Sequence, residues 1–198
     1  MTHPRSSPGS AASSRSNPLV GVRTYSSTMT DPVNRVEPPF VADEVTMLES
    51  WLDYHRATLL WKCHGLTDTQ LTVRSIPPST LSLLGLVRHL TEVERSWYAR
   101  RLAGRERPPL YYSDAEPDGD FDSLDSTPVA EVFAAYDRAV QESRALAANT
   151  DLEALSIGTV DGLQVSLRWI HLHLIEEYAR HNGHADLLRQ CIDGDTGE

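Results

Sequence analysis

The sequence predicts an all-α fold, a four-helix bundle with a long connection between the second and third helices, and three observations carry that prediction. From Asp43 onward apolar residues recur at spacings of three and four, the period of an amphipathic helix. Proline, glycine and capping residues divide that stretch into four helical segments of roughly 20 to 26 residues. No strand-rich alternation competes with them. Helices of this length with no sheet to cover bury their apolar stripes against one another.

The first helix is expected over about 43–64, where Val45, Leu48, Trp51, Leu52, His55, Leu59 and Leu60 share the period, Asp43 is an N-cap and Gly65 lies just past the end. Ser75-Ile-Pro-Pro-Ser79 then breaks the chain, because two prolines withdraw donors and push the preceding residue out of the α region. A second helix follows over about 80–103, capped by Ser79 or Thr80 and stopped by Gly104. Leu83, Leu84, Leu86, Val87, Leu90, Val93 and Trp97 form its wide stripe.

Residues 105–127 have a different texture: Pro108-Pro109, Tyr111-Tyr112, then Asp114, Glu116, Asp118, Asp120, Asp122 and Asp125. Read as a calcium loop from Asp114, the segment puts Gly119 at the required sixth place. It carries Glu116 at the third, however, and the short Asp125 where a bidentate Glu should close the site, and its prolines deny it an entering helix. It is better read as a solvated acidic connection that the two tyrosines tuck onto the bundle. At about 1.5 Å per residue the connection is long enough to run back along a helix, so an up-down-down-up crossover and a simple meander both fit. The third helix starts at Thr127-Pro128 and runs through Val132, Phe133, Tyr136, Val140 and Leu146 to about Ala148. Residues 151–165 carry Asp161-Gly162, the signal of a small hairpin or an extended loop. The fourth helix spans about Ser166 to Cys191.

The first 38 residues hold eight Ser and five Pro with no sustained hydrophobic period, too little apolar surface to offset the entropy of ordering. A disordered tail over 1–38 and a bundle domain over 39–194 are expected, with Met29 a candidate true start. Arg5, Arg15 and Arg23 with no acid before Asp31 faintly resemble a transit peptide, but no amphipathic helix accompanies them. The whole chain carries −10; four Arg against Asp31 and Glu37 make the tail +2, which leaves the body at −12. That balance argues against nucleic acid and anionic membranes as partners, and no apolar run is long enough to span a bilayer. Cys63 and Cys191 stand alone without a CxxC partner, which suits a cytoplasmic, reducing setting. Exposed helix faces leave room for a homodimer.

Four of the eight histidines lie on the fourth helix. At about 100° per residue, His173, Glu177, His181 and His184 fall at roughly 0°, 40°, 80° and 20°, one narrow stripe, while His171 points almost the other way. Glu177 and His181 stand one turn apart, close enough to reach one divalent ion, and the second helix offers a single histidine, His89. Counted along the helices, these positions come level whether the two pack antiparallel or parallel. Each residue alone also reads as a hydrogen-bonded core histidine, or as Glu177 paired with Arg180 or Arg88. Jointly, two imidazoles and a carboxylate aimed into a bundle cost too much to bury without a shared partner, and a metal is the simplest one.

Leu86-Val-Arg-His89-Leu-Thr-Glu-Val-Glu-Arg-Ser-Trp97 and Ile175-Glu-Glu-Tyr-Ala-Arg-His-Asn-Gly-His-Ala-Asp-Leu-Leu188 resemble the second and fourth helices of the DinB-like superfamily of metal-binding four-helix bundles. The resemblance covers about residues 40–192. Many members use one histidine on the second helix and a His-x-x-x-His pair on the fourth. The first position of that pair is Glu177 here, as in the mycothiol-dependent maleylpyruvate isomerase N-terminal-domain type. The resemblance implies His89, Glu177 and His181 as ligands. That isomerase has a further C-terminal domain, whereas this chain ends at Glu198, so maleylpyruvate isomerisation itself is not expected.

Three ligands of the His2Glu type leave coordination positions open, as catalytic sites do. Zinc is the first expectation for the ion, with nickel, iron or manganese also compatible. A low-molecular-weight thiol bound there would have its pKa lowered and attack an electrophile, giving a thiol S-transferase of the mycothiol type. His184 is the candidate catalytic residue, as a proton-transfer group or as a partner of a ligand. Arg88, Arg95 and Arg180 are candidate anion contacts. The alternatives are a catalytically silent metal- or ligand-binding, stress-associated bundle and Fe(II) oxygen chemistry at the same triad.

Overall fold

A computed structural model describes residues 33–196. The expected tail, up to residue 32, and the candidate start at Met29 lie outside the described residues. Among the described residues six α-helices form an all-α bundle: α1 (Glu44–Cys63), α2 (Asp68–Thr72), α3 (Leu83–Glu94), α4 (Gly119–Asp122), α5 (Val129–Ala147) and α6 (Leu167–Asp193). No strand occurs among the described residues. None of the described helices is long and apolar enough to cross a membrane.

The local chemistry follows the sequence at most boundaries. Asp43 caps α1 by accepting from the Thr46 amide. Helix α3 begins later than expected, at Leu83, because Ser82 and not Ser79 or Thr80 accepts from the Gly85 amide. Beyond Glu94 the same helix widens into a π-helical stretch, Arg95–Leu102, which the helical period alone does not distinguish. Gly104, at φ +61°, ends it, with the Arg105 amide donating to the Ala99 carbonyl. Asp161 (φ 51°) and Gly162 (φ 81°) make the tight turn expected between helices, with only isolated bridges around it.

The long helices pack α1 on α6, α6 on α3 and α3 on α5. Their senses follow from ion pairs and hydrogen bonds between them. Arg168 meets Glu44 and Lys62 meets Asp186, so α1 and α6 run together. Tyr98 meets His171 and Glu94 meets Tyr178, so α3 and α6 are antiparallel. Arg88, near the start of α3, reaches Ser123 and Ser126 just before α5, while Arg105 and Arg107 past its end reach Glu142. Helices α3 and α5 therefore run the same way, and the segment between them crosses back along the bundle, the crossover alternative of the two.

The core comes from one stripe of each helix: Leu52 and Leu59 of α1, Leu83, Leu86 and Leu90 of α3, Val132 and Phe133 of α5, Ile170, Leu174 and Leu188 of α6. Val45 and Trp51, expected in the α1 stripe, are exposed, Val45 at the helix end and Trp51 about 60° around the helix from Leu48. Tyr111 tucks the crossover down, as expected, with the Arg88 guanidinium over its ring.

Candidate metal centre

Antiparallel packing of α3 and α6 brings His89 level with Glu177 and His181. The donor atoms of these three residues lie within 4.8 Å of one another. His89 and Glu177 are half-buried and His181 is buried. The rings of His89 and His181 are 4.7 Å apart, and His181 Nε2 is 3.5 Å from Glu177 Oε2. A hydrogen bond from His181, reinforced by the charges of His173, His181 and His89, holds the Glu177 carboxyl below the usual carboxylate range despite its partial burial.

Both histidines of the trio are held from behind. His89 Nδ1 is 2.8 Å from Asp120 Oδ2, and Asp120 is buried. A carboxylate only accepts, so Nδ1 carries the hydrogen and Nε2 keeps its lone pair free. His181 Nδ1 is 3.3 Å from His184 Nδ1, so His184 reaches the centre through His181. Partial burial, together with the nearby His181 and Arg180, lowers the pKa of His184. Two nitrogen donors and one carboxylate oxygen thus face one another with their outer nitrogens already partnered, a donor set that suits a divalent ion with open positions.

The crossover builds one wall of this centre. Gly119 permits it, since a Cβ there would collide with the Tyr111 carbonyl oxygen. Phe121 stacks on His89, ring centroids 5.3 Å apart. Beside them opens a cavity of about 270 Å³ lined by His89, Ser96, Trp97, Arg100, Tyr112 and Asp120 among others. Buried Glu92 also faces it; one of its oxygens accepts from the Leu110 and Tyr111 amides, while the other has no hydrogen-bond partner. A larger cavity, about 480 Å³, lies between α1 and α5, away from these donors.

The other residues singled out by sequence separate clearly. Arg88 binds the crossover carbonyls of Ser123 and Gly119, and Arg180 pairs with Glu176, so neither neutralises Glu177. Arg95 donates to the Pro108 carbonyl. His171 does point away, into the core, where it meets the Tyr98 hydroxyl at 2.7 Å. Sequence reasoning missed Asp120 as a partner of His89; within a run of alternating acids no period marks it out. It also missed a buried network in which Glu94 takes both Nε and Nη2 of Arg56 and the Tyr178 hydroxyl, which in turn meets Tyr136. The signal available was Arg56 and Glu94 standing on otherwise apolar faces.

The fold and the facing His/Glu cluster define a class, an all-α bundle of the DinB-like superfamily. Within it, the family model for mycothiol S-transferases matches residues 47–194, and the chain belongs to that family. No curated protein matches the chain.

Proposed function

We propose that this chain transfers a low-molecular-weight thiol of the mycothiol type to an electrophile, at a divalent ion held by His89, Glu177 and His181. The observation that carries the reading is the convergence of these three donors within 4.8 Å beside an open cavity, in a chain of this family. A divalent ion held by these three residues would supply Lewis acidity, which would lower the pKa of a thiol beside it and favour thiolate at neutral pH. Zinc suits the donor set first; nickel, iron and manganese accept the same donors.

The protein's own residues do the rest. Asp120 fixes the tautomer and ring plane of His89, and His184, whose Nδ1 lies 3.3 Å from His181 Nδ1, holds the ring of His181 from behind. Trp97 and Phe121 offer the cavity apolar walls, while Ser96, Arg100 and Tyr112 offer donors for the body of the thiol. The thiol proton leaves to solvent, the sulfur forms a bond to the electrophilic carbon, and the leaving group departs with its electron pair. Such thiol-dependent chemistry suits a reducing cytosol.

Elemental analysis of purified protein is expected to find about one divalent ion per chain, and His181→Ala is expected to remove it. Stoichiometric metal in that variant would overturn the ligand set. Conjugation of a thiol to a panel of electrophiles tests the reaction. Metal-loaded protein that binds no thiol would instead indicate a ligand-binding bundle without transfer activity.

A further inference from the structure

His173 stands one turn before Glu177 on α6, on the same stripe as the metal centre. Its Nε2 lies 3.4 Å from Glu177 Oε1, while Glu177 Oε2 lies 3.5 Å from His181 Nε2. The two oxygens of one carboxylate are thus divided between two imidazoles, one inside the centre and one outside it. The outer ring has little freedom. Trp169 stacks on it, with centroids 4.9 Å apart and planes at 15°, and Trp97 meets it edge-on at 4.4 Å and 62°. Trp97 comes from the π-helical stretch and Trp169 from α6 itself, so the imidazole is clamped from both helices that carry the centre. Its second nitrogen faces Glu176 at 4.0 Å, and Glu176 is itself engaged by Arg180.

We propose that His173 is a positioning residue for the metal centre. It aims Nε2–H at Glu177 Oε1, restrains rotation of the carboxylate, and so presents Oε2 to the ion as a single, oriented donor. A glutamate side chain loses rotamer freedom when it binds an ion, and a neighbour that has already removed that freedom leaves less to lose on binding. The two-indole clamp is what allows a half-exposed histidine to play this part, because an unclamped imidazole would swing out to solvent. Trp97 also lines the cavity, so the clamp ties the aim of Glu177 to the wall that a bound thiol touches.

The inference rests on the metal centre proposed above, and one set of titrations separates the two. Ion affinity is measured by competition with a chromophoric chelator for the wild type, His173→Leu and His173→Gln, alongside the unfolding midpoint of each metal-free protein. The wild type is expected to bind one ion. His173→Leu is expected to bind it 10- to 100-fold more weakly, with the metal-free midpoint little changed. His173→Gln recovers most of the affinity, since its carboxamide N–H can still reach Oε1. Equal affinity for His173→Leu and wild type overturns the proposal, as does a Gln variant no better than Leu. Because the donors of His173, Glu176 and Glu177 also lie within 4.8 Å of one another, two ions per wild-type chain, one lost in His173→Leu, would make His173 a ligand of a second ion and overturn the positioning role. A wild-type chain that binds no ion removes the centre itself.

Discussion

Helices α3 and α6 contribute to two polar clusters, one turned into the bundle and one turned out, and the clusters solve the problem of buried polarity in opposite ways. In the inner cluster Arg56 meets Glu94 through two nitrogens at 2.8 and 2.9 Å, Tyr178 donates to the same carboxylate, and His171 meets Tyr98. Cation and anion are matched and the cluster closes on itself. The outer cluster turns one carboxylate and two imidazoles, those of Glu177, His89 and His181, toward a common point with no lysine or arginine among them. Burial with internal pairing makes a structural element; burial with an excess of lone pairs makes a site that wants a cation.

The comparison breaks most visibly at Glu94. Replacing it with Gln leaves the buried Arg56 guanidinium with only half-exposed Asp53 for charge compensation. The expected loss is about 3 kcal/mol of stability in urea unfolding, with the number of ions bound unchanged. The outer cluster should behave in reverse. Asp120→Ala removes only a partner of His89, so affinity for the ion is expected to fall 10- to 100-fold in a chelator competition while the metal-free protein keeps its unfolding midpoint to within a few degrees. Should Glu94→Gln abolish metal binding, or Asp120→Ala unfold the chain, the division between the clusters fails.

A smaller effect separates them by pH. Burial, aided by the nearby Arg56 charge, lowers the pKa of His171 to about 4. Between about 6.5 and 4 the unfolded chain takes up a proton at this position that the folded chain refuses, so stability present above pH 6.5 is lost on acidification through that window. Metal-free protein should therefore show a steeper decline in stability over this range than a His171→Gln variant. Equal slopes would show that His171 does not contribute.

What the sequence made legible was the part governed by period. Spacings of three and four reveal the helices, and the same arithmetic puts His173, Glu177, His181 and His184 on one stripe and turns His171 away, as the structure shows. Period could not choose between a crossover and a meander, because that choice is set by contacts far apart in the chain, such as Arg88 with Ser123 and Arg105 with Glu142. Nor could it find Asp120. In the sequence Gly119 reads as the sixth place of a calcium loop; in the structure it is the point where backbone passes close to Tyr111, and that approach delivers Asp120 to His89. The surrounding acids go elsewhere, Asp122 to Arg74 and Glu116 to the Ser123 hydroxyl.

The crossover that returns between α3 and α5 has a consequence for how this architecture can diversify. The helices set which donor atoms face one another, whereas the partner of His89 and much of the adjoining cavity wall come from one continuous segment that is not part of any long helix. Such a segment is an exchangeable cassette: grafting a different sequence between residues 105 and 127 would retune basicity at the centre and the shape of its neighbouring chamber in one stroke, leaving the scaffold and its donor atoms in place.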